Sequence, residues 1–433
     1  MHGTARRLYD RDRVVAGVEK LRFFPLALES GQGSWLVEAG GRRLLDLSAT
    51  WTACGLGHGH PAVRDALLRA ATAPPGAGAL SAVHEDAVAL AEELLELTPG
   101  SGDRRVYFGH AGSDANDVAI RSAVHATGRP RVLAFEHSYH GGIGVAMKAS
   151  GVHVEAGSVA ADEQVRFTPY PDPYREPERH GRVLDALEEA LAGRDVACLV
   201  VEPILSDGGL VVPPDGFLAE VAARCAAAGT LLICDEVKVG LGRPGTWHAF
   251  QHDGITPDIV TFGKSLGAGV PVSAAVGPAA VLDEPGASAL LTQAGNPYST
   301  AVARAVLATY RAEGLVERAA QAGERLRQGL REATAHLDVV GDVRGRGLAI
   351  GVDLVTDRAS CRRDPALAAR TVYRVWELGG VVFYVGGNVL EVTPPLVVTD
   401  DEVDRAVELL AQGIEDAAAG RVSDAQVAPY AGW

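Results

Sequence analysis

The sequence predicts an α/β protein: a large domain on a mainly parallel sheet, followed by a smaller α+β domain. Three observations carry this. Between residues 105 and 277 six apolar stretches of strand length alternate with amphipathic helical stretches, as expected of parallel strands covered on both faces. Beyond about residue 337 the texture changes to short strand-like runs, RGRGLAIGVDLV, VVFYV and NVLEVTPPLVV, of the kind an antiparallel sheet uses. Finally, 433 residues of which 47% are hydrophobic and 22% charged can bury one large core and a satellite. The expected division is 1–60 as an N-terminal segment packing with the small domain, 61–314 as the large domain, and 315–433 as the small one.

Taken in order, the chain begins with a helix. Ser34 to Leu47, SWLVEAGGRRLLDL, alternates apolar and polar residues around Gly40-Gly41, which predicts a hairpin with a tight glycine turn. A Gly/His loop, ATWTACGLGHGHP, carries Trp51. Helical patterns then run through AVRDALLRAA and through EDAVALAEELLEL, which stops at Pro99-Gly100. The predicted strands are 105–109, 132–136, 197–203, 230–237, 259–264 and 272–277. The polar, proline-rich stretch from Ala149 to Arg182 reads as a surface excursion. One long helical region extends from Pro297 to about Leu337, and Thr399-Asp400-Asp401-Glu402 is a capping box opening the last helix.

Composition excludes several classes. A formal charge of −15 disfavours nucleic acid and anionic membranes as partners and suits a neutral or cationic ligand. No run reaches membrane-spanning length and the first thirty residues lack a signal-peptide pattern, so a cytoplasmic protein is expected. Five cysteines stand without Cys-x-x-Cys spacing, three of them in apolar runs, which supports neither a disulfide framework nor a metal site.

The chemistry centres on Gly229 to Pro271. One apolar run there ends in Asp235-Glu236, and another ends in Lys264. Lysine is rare in this chain: only Lys20, Lys148, Lys238 and Lys264 occur, against 36 arginines. A lone lysine at a buried strand's end therefore asks for a reason, and only an amine can form a Schiff base. The bland alternative for Lys264 is a salt bridge. Asp235 follows an apolar strand and must be paired. It could hold a protonated ring nitrogen, cap the following turn, or pair with Arg243. Upstream, Ala111-Gly112-Ser113 is a small-residue turn opening a helix, either an anion site or an ordinary capped turn. Tyr139 and His140 follow the next strand, where an aromatic could stack on a planar ligand or simply wedge a loop.

These stretches resemble the class III (ω-type) aminotransferases. GLGHGHP, AGSDAND, SYHGG, Glu202-Pro203, DEV followed by GLGRPG, PDIVTFGKSLGAGVP, QAGNP and TPPL stand in that family's order across nearly the whole chain. The resemblance implies a seven-stranded sheet of the pyridoxal-phosphate transferase fold type I and pyridoxal 5'-phosphate as cofactor. It implies Lys264 as the Schiff-base lysine and proton carrier, with Asp235 at the ring nitrogen. Val237 and Tyr139 would flank the ring, Gly112 and Ser113 would bind the phosphate, and Glu202 would stand near the substrate. Thr292 of a neighbouring subunit would join the phosphate site, so a homodimer or dimer of dimers is expected, with a primary amine and a keto acid as substrates. Lyases, aminomutases and racemases share the scaffold and remain alternatives.

Two departures bear on substrate. Lys238 stands where relatives often place a glutamine. Glu391 stands in NVLEVTPPL, where relatives acting on amino acids commonly place an arginine for the α-carboxylate. A carboxylate there favours a cationic amine, such as an amino sugar of the aminoglycoside kind, with Trp51 and Glu391 as substrate residues. Alternatively Glu391 faces solvent or an arginine, and Arg346 or Arg22 takes the carboxylate.

Overall fold

The computed structural model describes residues 3–72 and 78–430. The chain forms two compact units, residues 1–60 with 317–433, and residues 61–316.

The first unit opens with a helix over Gly3–Arg11 and three strands, β1 (Leu28–Gln32), β2 (Trp35–Glu38) and β3 (Arg43–Asp46). β2 and β3 form the predicted hairpin, turned by Gly41 at φ +82°.

The second unit contains β4 (Arg104–Gly109), β5 (Arg131–Phe135), β6 (Val165–Thr168), β7 (Val196–Val201), β8 (Leu231–Asp235), β9 (Ile259–Phe262) and β10 (Ser273–Pro278). They form one seven-stranded sheet in the order β4-β10-β9-β8-β7-β5-β6. Every pairing is parallel except those of β10, which runs against both β4 and β9. β6 corrects the sequence reading: the proline-rich excursion contains an edge strand, too short at four residues for its alternation to stand out. The central strands β7 and β9 are buried along their whole length, which explains their unbroken apolar runs.

Helix Gly112–Thr127 packs Ala115, Ala119, Ile120 and Ala123 against Val132, Ala134, Cys198, Val200, Ile233 and Ile259 of the sheet. Alanines on the helix let the backbones approach, while the β-branched strand residues fill the gap. Each fully buried Val or Ile contributes roughly 1.5–3 kcal/mol. The predicted long helix after Pro297 is two helices, Pro297–Ala312 and Leu315–Ala333, interrupted by Gly314 at φ +60°.

The first unit resumes with β11 (Val340–Arg346), β12 (Ala349–Leu354), β13 (Gly380–Val381), β14 (Phe383–Val385) and β15 (Val389–Val392). β11-β12-β15-β14 is an antiparallel sheet, whereas β13 leaves it to lie parallel to β3 in the N-terminal sheet. The TPPL segment after β15 is not a strand: Thr393 N donates to Leu47 O at 2.7 Å and Leu396 N to Gly55 O at 2.8 Å. The capping box forms as expected and opens helix Asp400–Ala418.

Candidate active site

The carboxyl ends of β4, β5, β7, β8 and β9 share one edge of the large sheet, where ligands of such sheets bind. Asp235, the last residue of β8, is 4% exposed. Its Oδ2 accepts from Asn116 Nδ2 at 2.7 Å and lies 2.8 Å from His140 Nδ1, while its Oδ1 accepts from Val237 N at 3.0 Å. Because a carboxylate only accepts, the ring proton of His140 belongs on Nδ1. Asn116 is fixed in turn: its Nδ2 also donates to His140 O at 2.8 Å, and its Oδ1 accepts from Thr261 Oγ1 at 2.6 Å. So the turn-capping role open in the sequence is real, but it occupies one oxygen only, and three donors leave acceptor capacity for a further N–H.

Gly112, Ser113 and Tyr139 lie beside it. A Cβ on Gly112 would stand 2.4 Å from Val237 Cγ1, and one on Gly263 would stand 3.2 Å from Val237 Cγ1 and from Gly112 N. These glycines keep open a cradle that side chains would close. Gly112 and Ser113 begin the helix Gly112–Thr127, where backbone N–H groups favour an anion, and Ser113 Oγ accepts from Gly142 N at 3.0 Å. Lys264 follows Gly263 directly and opens a 3₁₀ turn at φ +43°, a backbone conformation non-glycine residues rarely adopt. Strain of this kind concentrates at functional sites. β9 ends at Phe262, two residues before the predicted boundary, so Lys264 stands off the strand and half-buried.

Glu202 follows β7. Its Oε1 accepts from Tyr139 N at 2.9 Å, and its Oε2 takes both the backbone N–H and the hydroxyl of Ser206. Burial pushes its carboxyl up to about 7 against the pull of His140. Glu236, beside Asp235, is pushed up by burial to about 8 and accepts from Ala249 N and Phe250 N, a structural capping role. Lys238, unassigned in the sequence, lies 3.0 Å from Asp207 Oδ1, and both are largely buried. After burial, Asp207 and Lys238 are the charges that act most on the Tyr139 hydroxyl, which is raised above its ordinary range.

The structure thus brings together Gly112, Ser113, Tyr139, Glu202, Asp235 and Val237 at the edge that also carries Lys264. Thr292 is exposed on the loop before helix Pro297–Ala312. Sequence reasoning missed Asn116, Thr261, Ser206 and Asp207 and gave His140 no partner. Ser206 and Asp207 were visible in the Gly-rich turn SDGG after a buried strand, Ser206 acting on Glu202 four residues earlier; Asn116 and Thr261 act only across elements.

Trp51 and Glu391 belong to the first unit. Trp51 stacks on Phe383 with centroids 4.7 Å apart and planes at 20°. Phe383 is the cross-strand partner of Glu391, so the two side chains share a face of the sheet. Phe23 packs on Phe383 at 5.1 Å and on Tyr384 at 4.9 Å, closing an aromatic cluster. Glu391 is 2% exposed, which corrects the alternative that it faces solvent.

A lysine and a buried carboxylate at the carboxyl edge of a largely parallel sheet, with an anion-binding helix start between them, define a cofactor-dependent enzyme. The chain belongs to the class III aminotransferases: the family model "Aminotransferase class-III" matches residues 16–414. It is 38% identical over 388 residues to the acetylornithine aminotransferase of Mycobacterium bovis, covering 89% of this chain and 91% of that protein. It is 34% identical over 438 residues to the alanine/serine racemase of Pyrococcus horikoshii, covering 96% of this chain and 92% of that one. Among solved structures, a thermostable (S)-enantioselective ω-transaminase from Thermomicrobium roseum aligns with a TM-score of 0.88 at 29% identity over 96% of this chain and all of that one.

The cofactor is pyridoxal 5'-phosphate. The donor set fits it: the spare acceptor capacity of Asp235 suits a protonated ring nitrogen, the Gly112 cradle suits a phosphate, and Lys264 offers the amine. Among the described residues no cluster of His, Cys, Asp and Glu is arranged for a metal, and no helix is long and apolar enough to cross a membrane.

Proposed function

We propose that the enzyme moves the amino group between a cationic primary amine, of the amino-sugar or cyclitol kind, and a keto acid such as 2-oxoglutarate, in ping-pong half-reactions. When bound, pyridoxal phosphate supplies an aldehyde that takes up the amine and a protonated ring that draws electrons from the neighbouring carbon. Lys264 would hold the cofactor through its amine and would carry the proton away from the amine-bearing carbon. Asp235, locked by Asn116 and His140, keeps the ring nitrogen protonated. Val237 and Tyr139 would flank the ring, and Gly112 and Ser113 would hold the phosphate. Glu202 fixes the Tyr139 loop on the substrate side. Thr292 would join the phosphate site of a second copy, in a homodimer or a dimer of dimers working in the cytoplasm.

The observation that carries the substrate class is Glu391. A buried carboxylate sharing a sheet face with Phe383, on which Trp51 stacks, offers a charge partner and aromatic faces to a cationic amine. The same carboxylate would repel the α-carboxylate of an amino acid. Steady-state assays of Glu391→Ala and Glu391→Arg test this: both should lower the preference for cationic amines over α-amino acids, and an unchanged preference would overturn the assignment.

A second reading, racemisation at the amine-bearing carbon, is favoured by Asp207 with Lys238. This couple acts on Tyr139, assigned to one ring face, while Lys264 follows the glycine packed against Val237, assigned to the other. Two proton carriers on opposite faces would return the proton with inverted configuration. The racemase relative supports the same reading. Interconversion of one enantiomer without any keto acid would decide for it.

A further inference from the structure

We infer that Asp46 and His58 form a clamp that holds a left-handed turn, Ala49 to Thr52, and thereby sets where Trp51 stands. Both are positioning residues; their effect on catalysis rests on the reading of Trp51 as a wall of the substrate site.

The turn is unusual in its backbone. Ala49, Thr50, Trp51 and Thr52 have φ of 44°, 54°, 57° and 66°, four consecutive non-glycine residues in the region that L side chains avoid. One turn of left-handed helix results, with Thr52 N donating to Ser48 O and Cys54 N to Ala49 O, both at 2.9 Å. Nothing in the residue types favours this conformation, so the surroundings must impose it.

They do so through one carboxylate. Asp46 ends β3 with no exposed surface, and its Oδ1 accepts from Ser48 N at 2.9 Å, from Ser48 Oγ at 2.8 Å and from Ala49 N at 3.0 Å. Those three donors fix the entry into the turn. Its Oδ2 lies 2.8 Å from His58 Nε2. His58 is itself anchored, because its backbone exchanges two hydrogen bonds with Gly33 at 2.9 Å each. Gly31 has no room for a side chain, since a Cβ there would stand 2.7 Å from His58 Cβ. The imidazole therefore works from a rigid base. Burial opposes its protonation, but the bonds to Asp46 and the Cys54 thiol outweigh this and hold it charged, up to about 9. On the far side, Thr393 Oγ1 donates to Ser48 O at 3.2 Å, which ties the turn to the segment just after Glu391.

A buried ion pair is weak evidence of stabilisation but a good device for fixing one conformation. Here the conformation fixed is the strained one, and Trp51 is its third residue. Released from the clamp, the turn can relax toward ordinary φ values, carrying Trp51 off Phe383.

The experiment replaces the tryptophans with 5-fluorotryptophan and assigns the Trp51 resonance by its loss in Trp51→Phe. In the cofactor-loaded His58→Ala variant that resonance should shift or broaden. KM for the amine should rise tenfold or more while kcat changes less than threefold. Adding Thr50→Gly, which accepts positive φ without a Cβ at an exposed position, should restore part of the KM. If His58→Ala does not fold, His58→Gln serves the same comparison. An unmoved Trp51 resonance in the folded variant would overturn the clamp. A moved resonance with KM unchanged, both there and in Trp51→Ala, would uphold the clamp and remove Trp51 from the substrate site.

Discussion

The end of β8, which carries Asp235, and the turn that carries Trp51 hold their side chains in opposite ways. Asp235 stands at the end of a regular, largely buried strand, and its neighbours satisfy it without backbone strain. Trp51 stands in four residues of left-handed backbone that hold only because Asp46 and His58 insist on it. On the function proposed above, the reaction chemistry is divided between a strand-end carboxylate and a lysine on strained backbone, and substrate contact rests on a segment whose geometry few residues control. The difference predicts that damage in the first region abolishes chemistry, whereas damage in the second changes what is accepted.

The largest effect expected is that of Lys264→Ala. It should remove the visible absorbance of the bound cofactor after dialysis and lower turnover by at least about 10³-fold. Persistence of the band would refute the assignment. Next, Asn116→Ala should leave Asp235 with a lost buried donor, weakening cofactor retention and costing roughly 1–3 kcal/mol of stability. Urea unfolding of the apo and loaded forms would measure it. Glu391→Ala should change the ratio of kcat/KM between cationic and α-carboxylate amines by about tenfold, roughly 1.4 kcal/mol, with little change in the cofactor spectrum.

The smallest effect concerns pH. His58 is held near 9 in the folded chain against an ordinary 6.5, so its contribution is fully present below about pH 6.5 and fades as pH rises through 9. Glu202 and Glu236, raised by burial, also weaken the fold as pH rises, through about 7 and 8 respectively. Only the difference between wild type and His58→Gln isolates the clamp. The variant should lose less stability than the wild type between pH 6.5 and 9. Parallel curves would contradict a charged His58.

Much of the large unit could be read from residues because its strands are buried on both faces and announce themselves as apolar runs. Lys264 and Asp235 stood out as charges at the ends of such runs. β6 did not, because four residues at a sheet edge carry too little periodicity, and the expected strand VVFYV is divided between β13, beside β3, and β14, which no pattern in five apolar residues could mark. Asn116, Thr261 and His140 were opaque for a different reason: Asn116 and His140 converge on Asp235 from separate elements and Thr261 holds Asn116 from a third, and spacing along the chain says nothing about that. The left-handed turn was invisible because ATWT contains no glycine to mark it. Glu391 drew notice as a departure from the resemblance, yet its neighbour Phe383 became meaningful only once the register of β14 and β15 was known.

The central claim, that Asp235 and Lys264 at the sheet edge set the chemistry and a carboxylate-lined aromatic cluster sets the substrate, is met most directly by loading the enzyme with pyridoxal phosphate and following loss of its visible band. Aminoglycosides, ω-amino acids and α-amino acids would be compared side by side in the wild type and in Glu391→Ala. Fastest loss with cationic amines lacking an α-carboxylate, with the preference gone in the variant, is the predicted result. Fastest loss with α-amino acids in both proteins would contradict it.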